Sequence, residues 1–219
     1  MLKKGRRGSK LKKLTALIIT DLQNDFMPSG ALPIKEGEAI IPIVLQIAPL
    51  FSHIYTTQDW HPNNHVSFAI NHGKRPGEII EIHGKSQILW PVHCVQETLG
   101  ADLIPRLQRI AIEKKIYKGE NPLIDSYSAF FDNEKKKSTG LNEYLKKRGI
   151  QKLFFSGFAT DFCILYSIKD AIDQGFIAYV IRDACRAMNK ELLDETKALV
   201  AMENYGAVII LSREISSYL

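Results

Sequence analysis

The stretch Leu153-Phe-Phe-Ser-Gly-Phe-Ala-Thr-Asp-Phe-Cys163 carries an apolar run, Leu153 to Ser156, through Gly157 and into an amphipathic pattern. Four largely apolar residues closed by glycine read as a short buried strand. Ile164, Ile168, Ala171 and Ile172 then recur at helical spacing up to Gly175, with Thr160 or Asp161 expected to cap the helix. The same alternation recurs on both sides of this stretch. Strands are expected over 15–20 (TALIIT), 54–57, 110–117, 178–181 and 207–211, and helices over 40–50, 141–148 and 191–204. Pro42 and Pro49 weaken the first helix, and Gly149 ends the second. Strands that are apolar throughout and separated by helices mean a mostly parallel sheet covered on both faces, a three-layer α/β/α fold. Ligands of such sheets bind at the carboxyl ends of the strands. Three of those ends carry Asp21, Asp59 and Cys163.

A chain of 219 residues suits one domain, expected over 14–219. Its net charge of +5 is misleading, because Lys3, Lys4, Arg6, Arg7, Lys10, Lys12 and Lys13 crowd the first thirteen positions. Setting those seven aside leaves 22 basic side chains against 24 acidic ones. The basicity is therefore a tail, expected to be disordered over 1–13, and the remainder offers no nucleic-acid footprint. No apolar run reaches the ~18 residues of a membrane span. Three cysteines make no disulfide framework and point to a reducing cytoplasm.

Cys163 sits where a helix dipole and free amides can activate a thiol, although a buried structural cysteine occupies such turns as often. Asp21 can serve as general base to a thiol on a neighbouring strand, or simply cap a turn. Asp59 and His61, two apart at a strand end, can place an oxygen and a nitrogen on one side of a divalent ion, and His93 can complete an open three-ligand site. His65 is a candidate for a further ligand. His53, His72 and His83 read as hydrogen-bonded loop histidines, and Cys94 and Cys185 as structural thiols. Lys118 can stabilise anions in a cleft. Phe26, Trp90 and Tyr127 are aromatics in polar loops, suited to the walls around a flat ligand.

Together these segments resemble the nicotinamidases (pyrazinamidases) of the isochorismatase-like cysteine hydrolases. The matching motifs are Asp21-Leu-Gln-Asn-Asp-Phe26, Gln58-Asp-Trp-His-Pro62, Leu89-Trp-Pro-Val-His-Cys94, Lys118-Gly-Glu-Asn-Pro122, Asp125-Ser-Tyr-Ser-Ala-Phe130 and Gly157-Phe-Ala-Thr-Asp-Phe-Cys163. The resemblance implies a triad of nucleophile Cys163, acid–base Asp21 and electrostatic partner Lys118. It implies a metal held by Asp59, His61 and His93, zinc first, with iron and manganese suiting the same ligands. It further implies a cis peptide before Ala159, with the amides of Ala159 and Cys163 as an oxyanion hole. The implied activity is hydrolysis of nicotinamide, and of pyrazinamide, through a cysteine thioester in NAD salvage. Its only expected partner is that small substrate, with self-association compatible and neither nucleic acid nor membrane involved. A ureido-directed amidohydrolase and a non-catalytic binding protein are the alternatives; the metal triplet argues against the first and the intact triad against the second.

Overall fold

The computed structural model describes residues 14–188 and 192–219. The basic tail and Glu191, the expected start of the last helix, lie outside the described residues.

Six strands form one parallel sheet in the order β5-β2-β1-β6-β7-β8. They are β1 (Thr15–Thr20), β2 (His53–Asp59), β5 (Lys114–Lys118), β6 (Lys152–Phe158), β7 (Ile177–Arg186) and β8 (Val208–Ile210). A two-stranded antiparallel hairpin, β3 (Ile79–Ile82) and β4 (Lys85–Ile88), stands apart. Successive side chains of a strand face opposite ways. Leu17 and Ile19 of β1, with Phe154 and Phe158 of β6, therefore join the core beneath α1 (Ile41–Ile47). Ala16, Ile18, Leu153 and Phe155 join the opposite core. That second core is closed by α2 (Leu141–Lys147), α3 (Leu165–Asp173) and α4 (Leu192–Asn204). The expected α/β/α layering is present. No helix among the described residues is long and apolar enough to cross a membrane.

The chain winds outward one way through β1, β2 and β5, and the other way through β6, β7 and β8. The winding reverses between β1 and β6, which opens a crevice at the carboxyl ends of those two strands. Gly157 makes the close approach there workable. Its φ is +108°, and a Cβ on it would lie 2.0 Å from the Thr20 carbonyl oxygen. Gly157→Ala is expected to cost about 3 kcal/mol or more. Urea titration should show this as a lowered midpoint at unchanged m-value.

Several elements depart from expectation. The expected 40–50 helix is a short α1 flanked by 3₁₀ turns, with Pro42 in its first turn, where the missing N–H does no harm. β5 begins at Lys114 rather than 110, and it extends to Lys118. β7 runs on to Arg186, and its register shifts on the way: Phe155 pairs with Val180 but Gly157 with Cys185, so the extra residues of the bulge lie on β7. The β3–β4 hairpin lies in a stretch that showed little periodicity. Its His83-Gly84 turn has positive φ at both residues (51° and 74°), the geometry of a two-residue hairpin turn.

Neither Thr160 nor Asp161 caps the helix after β6. The chain instead makes a π-helical turn, Thr160–Ile164, in which the Ile164 N–H donates to Ala159 O (3.0 Å). Asp161 Oδ1 is engaged elsewhere, accepting from the Met188 N–H at 2.8 Å. Such wide turns recur where a side chain must be re-aimed at a site.

Candidate active site

The crevice is lined by Phe26, Asp59, His61, Trp90, His93, Asp125, Tyr127, Ala159 and Cys163, with Leu32, Ile34, Phe162 and Met188 completing the walls.

The carboxyl ends of β1, β2 and β5 and the π turn deliver the first cluster. Asp21 follows β1 with φ +51°, a left-handed conformation that Asp tolerates better than most residues, and its N–H donates to Thr57 O (3.2 Å). Thr57 Oγ1 donates to Asp21 Oδ1 at 2.5 Å. Lys118, the last residue of β5, lies 2.9 Å from Asp21 Oδ2. Its Nζ also donates to Cys163 Sγ (3.3 Å), to Asp59 Oδ1 and, at longer range, to Ser126 O (3.4 Å). All of this is out of water: Asp21 is 0% exposed and Lys118 2%.

Burial sets the protonation pattern. It raises the Asp21 carboxyl to about 6, with Lys118 pulling back and Asp59 pushing the same way as burial. Burial pushes the Cys163 thiol well above its ordinary value, opposed by Lys118. The expected lowering by a helix terminus is outweighed. Burial alone would discharge Lys118, but Asp21, Asp59 and Cys163 together hold it charged. Near neutral pH the cluster thus holds a protonated thiol, an ammonium and a carboxylate poised to take a proton.

Asp59, His61 and His93 form the second cluster, with donor atoms all within 4.8 Å of one another. His61 Nε2 is 3.8 Å from Asp59 Oδ1, and His93 Nε2 is 4.0 Å from Asp59 Oδ2. Each imidazole donates its Nδ1 proton to a carbonyl, His61 to Gly119 O (3.0 Å) and His93 to Pro91 O (2.8 Å). That leaves the Nε2 lone pairs facing Asp59, the arrangement a metal ligand needs. Burial, with His65 adding to it, pushes His61 down to about 3 and keeps it neutral against the pull of Asp59. Burial works against the Asp59 charge, yet the Lys118 ammonium leads the opposing pulls and holds the carboxyl below its ordinary value. Two imidazoles and a carboxylate, buried and oriented, fit a divalent ion. Gly119 matters here, since a Cβ on it would lie 2.3 Å from His61 Cε1.

His65 stacks on His61 with ring centroids 4.2 Å apart, and its Nδ1 lies 2.7 Å from Ser67 Oγ. Phe26 packs on His93 (5.8 Å). Trp90 Nε1 donates to the Tyr127 hydroxyl (3.4 Å), joining two of the expected aromatic walls. The Phe158–Ala159 peptide is cis. His53, His72 and His83 are hydrogen-bonded to Glu113, Val66 O and Glu134 respectively. Cys94 and Cys185 are buried and free.

Sequence reasoning passed over Asp125, whose carboxylate lies with His61 and His65 donors inside 4.8 Å. It also missed Phe162 and Met188 in the wall and Thr57 as the donor to Asp21. Asp125 opens the Asp125-Ser-Tyr-Ser-Ala-Phe130 motif, but an aspartate in a loop reads as a turn residue. The others are ordinary residue types whose role depends on what packs opposite.

A cleft at the switch point of a doubly wound sheet holds a lysine-bound thiol beside a carboxylate, groups suited to a hydrolase that works through a nucleophile. The chain belongs to the isochorismatase family: the family model described as Isochorismatase domain matches residues 15–214. Nicotinamidase of Acinetobacter baylyi is 47% identical over 203 residues, covering 91% of this chain and 94% of that one. The solved nicotinamidase/pyrazinamidase of Acinetobacter baumanii superposes with a TM-score of 0.89 at 43% identity, covering 93% of this chain and 98% of that one. Pyrazinamidase of Pyrococcus horikoshii, solved in complex with zinc, gives 0.74 at 33% identity, covering 90% and 99%.

Proposed function

We propose that this protein hydrolyses nicotinamide to nicotinate and ammonia, with Cys163 as nucleophile, Asp21 as general base and acid, and Lys118 as their electrostatic partner. The observation that carries the reading is the position of Lys118. One ammonium touches the thiol, Asp21 and Asp59, so the reacting group and the Asp59/His61/His93 cluster share one cleft. The likeness to nicotinamidases over nine-tenths of the chain supports the substrate.

Asp59, His61 and His93 would hold a divalent metal, zinc first, which when bound supplies a Lewis-acid contact for the pyridine nitrogen and so orients the ring. Phe26, Trp90 and Tyr127 wall the ring in. Asp21 takes the Cys163 proton, and the thiolate sulfur bonds to the carboxamide carbon while the C=O pair moves onto oxygen. The amides of Ala159 and Cys163 are proposed to receive that oxyanion; one such donor is typically worth ~10²–10³ in rate. Asp21 returns the proton to nitrogen, the C–N bond breaks, and ammonia leaves a thioester. Water, deprotonated by Asp21, attacks the thioester; nicotinate departs and the thiol is restored. Lys118 keeps the anionic partners apart in charge throughout. Pyrazinamide, with the same carboxamide on an aza-aromatic ring, suits the same cleft. The three free thiols support a reducing, cytoplasmic setting.

Ammonia release from nicotinamide should fall to background in chelator and return when zinc, iron or manganese is restored. Full activity after complete metal removal would sink the role of Asp59, His61 and His93. No ammonia release from the metal-loaded protein would sink the substrate.

A further inference from the structure

We propose that Gln23 is a positioning residue: its carboxamide completes the sheet ladder at Asp59 and so fixes the carboxylate that faces both Lys118 and the two imidazoles. The proposal rests on the role given to Asp59 above. Gln23 stands in the Asp21-Leu-Gln-Asn-Asp-Phe26 motif, yet neither the triad nor the ligand set uses it.

β1 pairs with β2 only as far as Thr20 opposite Thr57. There the chain turns away at Asp21, whereas β2 continues two residues further to Asp59. On its other side β2 is closed by β5, with the Trp60 N–H donating to Lys118 O at 2.9 Å. Backbone groups along a strand alternate sides, so the N–H and C=O of Asp59 point into the gap that β1 has left. Asp59 is buried, and both groups need partners there.

The Gln23 side chain fills that gap as a missing strand would. The Asp59 N–H donates to Gln23 Oε1 (2.8 Å), and Gln23 Nε2 donates to Asp59 O (2.8 Å). The second Nε2 proton goes to Ala101 O at 2.8 Å, anchoring the carboxamide from behind. Only a side-chain amide offers an acceptor and two donors in this geometry. Asparagine is one methylene shorter, and glutamate has no donor for Asp59 O. Gln58 provides a natural comparison. It is equally buried and also donates to Ala101 O (2.8 Å), but its side chain has no bond to Asp59.

The test compares full-length wild type, Gln23→Met and Gln58→Met by zinc titration of the metal-free proteins, thermal unfolding and ammonia release. Both variants should lower Tm. Gln23→Met should weaken zinc binding ~10–100-fold, as loss of an outer-shell partner typically does, and lower kcat at saturating zinc. Gln58→Met should keep zinc affinity near wild type. Equal zinc affinity in Gln23→Met and wild type, or equal loss in both variants, overturns the proposal. Should Gln23→Met not fold, amide hydrogen exchange in the wild type decides. An Asp59 N–H protected like the β2 amides that pair with β1 supports the capping role, and a rapidly exchanging one refutes it. A wild type that neither binds zinc nor releases ammonia overturns the functional reading instead, and the exchange result then judges Gln23 alone.

Discussion

Cys163→Ala is expected to lower ammonia release from nicotinamide by about 10⁴-fold or more, the scale on which removal of a nucleophile collapses a catalytic unit. Among the described residues that line the cleft, the substitution removes the one thiol, and with it the atom placed to form the thioester. It leaves the second cluster alone, because Sγ bonds to Lys118 Nζ (3.3 Å) while His61 and His93 face Asp59. Metal content should therefore match wild type. Mass spectrometry of wild type quenched during turnover should show an acyl adduct that the variant lacks. Turnover retained in a fully metal-loaded Cys163→Ala protein would refute the nucleophile assignment.

Asp21→Asn should cost ~10²–10⁴ in rate, the usual worth of a positioned general base. Asparagine keeps the shape and can still meet Thr57 and Lys118, but it cannot take the thiol proton. The same group sets an acid limb. Burial raises the Asp21 carboxyl to about 6, so below that pH it is protonated and unable to act as base. The rate should then fall tenfold per pH unit on the acid side and level off above about 7. In Asp21→Asn the residual activity should lose this limb. A limb of unchanged midpoint in the variant would assign it to another group and remove Asp21 from the proton transfer.

Much of the architecture was readable because burial leaves a local mark. Strands such as Thr15–Thr20 are apolar throughout, with no alternation, since both faces are covered. Gly149 and Gly175 stop helices where their positive φ is needed. The elements that escaped are those whose side chains are exposed or whose bounds depend on a neighbour. The β3–β4 hairpin exposes much of its surface, Ile79 included. The far end of β7 pairs with β6 only after a bulge in β7 itself, which Val180 and Cys185 opposite Phe155 and Gly157 mark. The π turn at Thr160–Ile164, closed by the Ile164 N–H on Ala159 O, is a departure from the α-helix that helix propensity does not encode.

By itself the sequence determined the parallel α/β sheet and the candidate chemical groups: a thiol after one strand, carboxylates after two others, and histidines spaced for a metal. Residue type and periodicity are local properties, so they survive in a one-dimensional reading. The tertiary structure alone decided which of these groups meet. Lys118 lies 45 residues from Cys163 and 59 from Asp59 along the chain, yet it bonds to both. Only the strand order β5-β2-β1-β6 places it there. The same packing recruits Asp125 to the histidines and puts Gln23 where β1 leaves β2. It also strips the site of water, which raises Asp21 into the range where it can work as a base.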